Sequence, residues 1–394
     1  MATGAYIGIM DKARRVKAIY VSPEGKARKV RRAYVGVEGR ARLWWGGVPT
    51  EILPLRLTRE GFGIVTLNRH GIIGGGGTGG TGNVTSEVEA YDPLLINISL
   101  APLSVARRNL GAVAAGEFGL FMGGDNARPT LQMEIFSVID CYDANFVRTS
   151  PTILSSGRAS MATAGVGNYG LGAGGLPTYN TRTLAADAFD GNITRTVLSL
   201  SGNARGNIAG ASTESYALFA GGLTYAGTDQ NTVDAFDTNL TRRSPTANLS
   251  LTRSMLDGTA IGASGIFGGG SRYTSARRAV ADVDAYDDNL TRHIPLSLVA
   301  ARAGLSAVTV DDYALFGGGL WSTTVSNTTT TYRSDVVDAY NAFYTRLVAP
   351  ALSLARGTSA VNAGNYGLFI TANLTSNVVD VFDSELNHFS SEAA

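Results

Sequence analysis

The chain of 394 residues is poor in several kinds of residue at once: it has 1 Cys, 3 His and only 16% charged residues. A single cysteine excludes an intramolecular disulfide framework and any multi-cysteine zinc or iron–sulfur site. His70, His293 and His388 are scattered and fall at non-equivalent places in the repeat described below, so they form no contiguous set of metal ligands. No apolar run reaches the roughly 18 residues of a membrane span. The basic N-terminus lacks the apolar stretch of a signal peptide, so neither membrane insertion nor secretion is expected, and outside a particle the chain is expected to be cytoplasmic. Apolar residues nevertheless make up 44% of the chain, which is ordinary for a folded protein and excludes a disordered one.

Lysine is rarer still and unevenly placed: Lys12, Lys17, Lys26 and Lys29 are the only four. Residues 1–47 hold 11 Lys and Arg against Asp11, Glu24 and Glu38, a net +8, and the remaining residues carry −7, so the overall +1 averages two unlike parts. Gly46-Gly47-Val48-Pro49 marks the change with the punctuation of a linker. Two domains are expected, 1–47 and 51–394.

Glycine is plentiful, at 49 residues, and it is periodic. An apolar pair running into glycines recurs at Ile72–Gly76, Phe121–Gly124, Gly172–Gly175, Leu218–Gly222, Ile266–Gly270 and Leu315–Gly319, with a degenerate seventh copy at Leu368–Ala372. An arginine stands 17 residues before the last glycine of each of the first six copies, at Arg59, Arg107, Arg158, Arg205, Arg253 and Arg302, and Arg356 precedes the seventh by 16. A second signature follows, as in Val88-Glu89-Ala90-Tyr91-Asp92 and Val283-Asp284-Ala285-Tyr286-Asp287, and it too counts seven. Self-similarity at such a period signals a solenoid or propeller. Each unit reads as four strands of 4 to 6 residues bounded by Gly, Asn, Asp or Pro, too short for helices. Seven four-stranded units describe an all-β chain, a seven-bladed β-propeller. The glycines suit strand ends that are crowded near the axis or need positive φ.

The Arg, Gly-Gly and Tyr-Asp series at this spacing resembles Kelch repeats over residues 51–390, with one departure: an Asn-Leu-Thr-Arg segment stands where the Kelch pattern has a tryptophan after the tyrosine. The resemblance implies a propeller scaffold for binding. Residues 1–45 carry a separate repeat, with Ala13, Ala27 and Ala41 flanked by basic residues, and read as a small β-meander of strand, Glu-Gly turn and strand. So short a unit buries too little to stand alone and is expected to dock or oligomerise. It resembles the basic N-terminal repeats of tail and adhesin-like proteins in phages and prophages, which implies an anchoring role for Lys12, Arg14, Lys26, Arg28, Arg31, Arg40 and Trp44 and a place in the virion. The charge alone would suit nucleic acid, but no binding motif accompanies it, so no nucleic-acid partner is expected.

Chemistry is hard to find. Cys141 replaces an Ala of the third-strand motif and reads as a small buried residue rather than part of a copper site. The glycine runs never lead into a helix, so they cradle no phosphate. The arginines and the third-strand acids Asp140, Asp187, Asp234, Asp284, Asp338 and Asp380 recur with the repeat, which points to one structural contact made many times, hydrogen bonding or ion pairing from blade to blade. No catalytic residue, cofactor or metal is expected.

Function is better sought where the units differ. The connection between second and third strands varies from 6 to 17 residues, and variable loops on a fixed scaffold are where binding is usually placed. On that face the sequence puts Tyr179, Arg182, Tyr225, Arg272, Tyr273, Arg277, Trp321, Tyr332 and Arg333, residue types favoured at binding surfaces. The expectation is a non-enzymatic, homo-oligomeric tail protein whose N-terminus contacts other virion proteins and whose loop face binds a host-surface glycan or protein. A carbohydrate-active propeller enzyme and an intracellular Kelch-type scaffold are the alternatives.

Overall fold

The computed structural model describes residues 52–391 apart from 80–81, 129–132, 246, 275, 326–327 and 372–373, together with four strands nearer the N-terminus. The chain separates into two compact units, Met1–Glu51 and Ile52–Ala394. In the first, Tyr20–Val21 pairs antiparallel with Arg28–Lys29, and Ala33–Val37 pairs with Arg40–Trp45 through a bulge between Ala33 and Tyr34. Arg28, Arg40 and Trp44 lie on these strands, whereas Lys12, Arg14, Lys26 and Arg31 lie outside the described residues.

The second unit is all β. Seven antiparallel sheets of four strands follow one another along the chain, and each is built from contiguous sequence. Their first strands are Gly63–Leu67, Gly111–Ala115, Ala162–Val166, Ala209–Ser212, Asp257–Ile261, Ser306–Val310 and Thr358–Ala363. Each packs on the first strand of the next sheet, and Thr358–Ala363 packs back on Gly63–Leu67, so the ring closes as a seven-bladed β-propeller with the first strands innermost. Blades 5 and 6 carry an additional hairpin between second and third strands, Ser271–Tyr273 with Arg277–Ala279 and Leu320–Val325 with Thr328–Arg333.

Each gap between blades holds one apolar cluster. Between blades 5 and 6, for instance, Ile261, Ile266, Val283 and Ala285 of one meet Leu298, Leu305, Phe316 and Tyr340 of the other. In five blades a second-strand Phe meets a third-strand aromatic edge to face, as Phe316 and Tyr340 do at 6.0 Å. The Asn-Leu-Thr-Arg segment has two structural tasks. The acid or Asn that opens the turn accepts the amides two and four residues on, as Asp287 does from Asn289 and Thr291, both at 2.9 Å. This throws the fourth residue into the left-handed region, at Leu95, Phe146, Ile193, Leu240, Leu290, Tyr344 and Leu386. That apolar side chain then packs on the cluster shared with the preceding blade.

The arginines are wholly buried and each pairs with an acid of its own blade. Arg59 meets Glu89, and the sequence acids Asp140, Asp187, Asp234, Asp284 and Asp338 meet Arg107, Arg158, Arg205, Arg253 and Arg302, all at 2.5–2.8 Å; Arg356 pairs with Asp380. The contact expected between blades is therefore made by the main chain. The carbonyl of each arginine from Arg107 to Arg356 accepts the second glycine amide of the preceding blade, as in Gly270 to Arg302 at 2.9 Å. The glycine just before each donor is crowded by the same carbonyl of the next blade: Gly269 has φ +63, and a Cβ there would lie 2.6 Å from the Arg302 oxygen. The Arg of Asn-Leu-Thr-Arg, or its counterpart, approaches the same carboxylate from the fourth strand, from 2.9 Å at Arg148 to 3.9 Å at Arg346; His388 does so in blade 7 and Asn97 in blade 1.

Four residues before most of these arginines a buried leucine donates its amide to the preceding blade, as Leu103 does to Ser86 and Leu298 to Ala281. Leu55 makes the same bond to Asn377 of blade 7 at 3.0 Å, and the Asn377 side chain returns one to the Leu55 carbonyl at 2.7 Å. The ring is thus closed by a connector, with no strand exchanged. Breaking a buried pair leaves a charge without its partner, so Asp338→Ala is expected to lower unfolding stability by about 3–5 kcal/mol in denaturant titrations. A loss within the roughly 1 kcal/mol typical of exposed ion pairs contradicts this.

Candidate functional site on the loop face

Because every strand reverses direction, the loops between second and third strands emerge on the same face as the blade-to-blade connectors. On that face blades 4, 5 and 6 form a continuous wall. Asp229 of blade 4, only 6% exposed, accepts the Ser254 hydroxyl at 2.8 Å, the Tyr273 amide at 2.7 Å and an Arg277 Nη1 hydrogen at 3.2 Å. Arg277 Nη1 also reaches Ser254 and Ser271, at 3.1 and 3.0 Å. The blade 5 hairpin is thereby clamped to blade 4 on one side, and its Arg277–Ala279 strand packs on Leu320–Val325 of blade 6 on the other.

This clamp leaves large rings outward. Tyr225 and Tyr273 are 65% and 61% exposed, and Trp321 stacks on its cross-strand partner Tyr332 at 4.3 Å with planes 18° apart. Rings held in this way offer broad, flat contact area at little entropic cost. Arg272 is half-buried and Arg333 exposed beside them. Of the residues singled out from sequence, Tyr225, Arg272, Tyr273, Arg277, Trp321, Tyr332 and Arg333 thus share the wall. Arg277 serves it as a brace, with one nitrogen shared among three buried acceptors. Tyr179 and Arg182 belong to blade 3, where Tyr179 is exposed and Arg182 donates to the Thr181 carbonyl at 3.0 Å.

The residues that sequence reasoning missed are Asp229, Ser254 and Ser271. Their signal was slight: Asp229 is the only charge in its loop, Gly221–Thr232.

Two concavities lie along the axis. One, of about 370 Å³, is lined by first-strand residues of blades 1 to 5, among them Thr66, Thr163, Ser212 and Thr259. The other, of about 590 Å³, opens on the opposite face between Glu117, Asn168, Tyr169 and Thr213. Neither gathers a set of reactive groups, and among the described residues no group of three or more His, Cys, Asp or Glu could hold a metal ion. Cys141 is buried, and burial pushes its thiol up to about 12, so it is not a thiolate near neutrality. His293 and His388 sit against Asp287 and Asp380, at 2.9 and 2.6 Å.

One carboxylate breaks the pattern of the first strands. Asp257 stands where other blades have Gly63, Gly111, Ala162, Ala209 and Ser306. It reaches from blade 5 to blade 6, accepting the Ala307 amide at 2.8 Å as well as that of Gly258 at 2.9 Å. Burial pushes it up to about 6 in spite of both bonds. At Asp140 and Asp380 burial also favours the neutral acid, but Arg107 in one case, and His388 with Arg356 in the other, outweigh it and hold both carboxyls below the usual range.

No family model matches the chain, and no curated protein matches it. Among solved structures it is similar to YjhT, with a TM-score of 0.54 and 12% identity over 71% of this chain and 99% of that one. At that identity the likeness concerns the fold alone.

The two kinds of carboxylate act on stability in opposite directions. Asp257, raised in the folded state, contributes stability that is complete below its unfolded value near 4 and is lost as the pH rises through about 6. Asp140 and Asp380, lowered, contribute stability above about 4 that is lost as the pH falls further. Thermal midpoints are therefore expected to decline from pH 5 to pH 7 in the wild type and to stay level in Asp257→Ser, which carries the blade 6 residue. Parallel curves for the two proteins contradict the assignment.

Proposed function

We propose that the protein is a non-enzymatic binding component of a phage or prophage tail. Its propeller, of the Kelch type, holds a host-surface glycan or protein on the wall of blades 4 to 6, and its basic N-terminal unit attaches it to other tail proteins. The observation that carries the reading is the pair of hairpins found in blades 5 and 6, which expose Tyr273, Trp321 and Tyr332 on a wall braced by the buried Asp229 and its partner Arg277. Such rings would be an odd ornament on a scaffold repeat, since they fill no gap between blades, and flat aromatic faces are suited to the apolar faces of sugar rings and to protein side chains alike. The central acid of the wall, Asp229, has its oxygens engaged by three donors, which suits a brace better than an acid or base. The tail setting rests on the basic repeat of residues 1–45 and its net charge.

The test is adsorption of particles carrying Tyr273→Ala together with Trp321→Ala. Loss of two central aromatic contacts is expected to reduce adsorption to host cells at least about tenfold, with the thermal midpoint unchanged. Unchanged adsorption overturns the reading.

A further inference from the structure

Among the described residues, the outer edges of most blades are guarded, and that of blade 3 is the most open. Edge strands offer unpaired amides and carbonyls to any passing chain, and proteins commonly blunt them by shortness, charge or proline. Here the fourth strands of blades 2, 4 and 5 are only two residues long, Arg148–Thr149, Arg242–Arg243 and Arg292–His293. Pro102, Pro151, Pro245, Pro295 and Pro350 interrupt the connectors that follow blades 1, 2, 4, 5 and 6. The connector from blade 3 has no proline, and the strand before it, Arg195–Ser199, is the longest of the seven. The next blade also releases it. Tyr142 and Tyr340 hold the carbonyls of Ala101 and Leu296 in the corresponding connectors, at 2.6 and 2.8 Å, whereas blade 4, like blades 3 and 7, has a Phe at this position, Phe236, which has no hydroxyl.

The direction of the free backbone follows from the bonds already made. The Thr194 carbonyl accepts from Asp190, and the Leu200 amide donates to Leu184, so the even-numbered residues face the third strand. Arg195, Val197 and Ser199 therefore turn their amides and carbonyls outward. Val197 is 58% exposed and β-branched, and the strand is anchored at one end by Arg195 Nη1, which donates to the Ile153 carbonyl at 2.7 Å.

We propose that Arg195–Ser199 is a homodimerisation edge, pairing antiparallel with the same strand of a second copy about a two-fold axis at Val197. That register sets Val197 against Val197, Arg195 against Ser199 and Thr196 against Leu198, so no like charges meet. It completes about six hydrogen bonds from the outward groups and closes as an isologous pair. The same operation on Arg242–Arg243 would face arginine with arginine. A second copy fits this edge better than an unrelated peptide because the strand is complementary to itself in charge and in hydrogen-bond phase.

The test is the mass of the full-length chain in solution, by sedimentation or light scattering. Val197→Lys places two ammonium groups opposite each other at the axis while leaving every bond within the blade intact. Its assembly is expected to have half the mass of the wild type, with an unchanged thermal midpoint. Val197→Glu is expected to behave likewise, and an equimolar mixture of the two variants to regain the wild-type mass. Equal masses for the wild type and Val197→Lys, or failure of the mixture to regain the wild-type mass, overturns the proposal; recovery of the dimer only with an added peptide overturns it in favour of another partner.

Discussion

A guanidinium group out of reach of water has to find its counter-charge and hydrogen-bond acceptors inside the protein. In this chain the counter-charge is supplied seven times, and the rest of the propeller is arranged around it. Arg107 has the fullest set of acceptors: its hydrogens go to Asp140 at 2.8 Å and to the carbonyls of Gly123 and Phe121 at 2.7 and 3.1 Å. The side chain thus ties the third strand and the end of the second strand to the connector of their own blade. The main chain of the same residue faces the other way, accepting the Gly76 amide of the preceding blade at 2.9 Å. One residue therefore fixes both a blade and its neighbour.

The connector that carries the first arginine also closes the ring. A ring made from contiguous blades has no shared strand to lock its ends, so the last interface must be as good as the others. Ile52 and Leu55 enter the apolar cluster between blades 7 and 1, Leu55 bonds to Asn377, and Arg59 pairs with Glu89. Residues that precede the first strand of the propeller are thus part of its last joint. With the scaffold fixed in this way, the loops between second and third strands are free to vary, and the blade 5 and 6 hairpins carry exposed rings at no cost to the interblade cores.

Much of this was legible in the sequence because it is repeated. Seven copies of the arginine and the third-strand acid, with Gly-Gly in the first six, make the blade count and strand order readable from the sequence. Repetition could not tell which groups meet: the acids pair within a blade, Glu89 takes the place of Asp in the first, and the glycines are crowded by a neighbouring carbonyl rather than by the axis. The left-handed residue of each third-to-fourth turn, leucine in four blades, was hidden because its conformation depends on an Asp or Asn two to four residues from the amides it binds, while its burial depends on the adjacent blade. The loop-face aromatics could be nominated from composition and topology. Asp229 could not, because its importance comes from Ser254, Tyr273 and Arg277, which are brought to it only by the docking of blade 5 on blade 4. Asp257 is a single substitution in an otherwise small-residue position, and its effect arises across the interface with blade 6.

The central claim is that the seventh interface is made like the other six, by a connector whose leucine amide and arginine side chain are locked in place. Amide hydrogen exchange resolved by peptide tests it most directly, because slow exchange requires the hydrogen bond and its surroundings to stay closed. Residues 52–59 are expected to be protected to the same degree as the equivalent connectors 100–107 and 295–302. Exchange of 52–59 on the time scale of a frayed terminus, with the other connectors protected, would show that the ring is left open at blade 7.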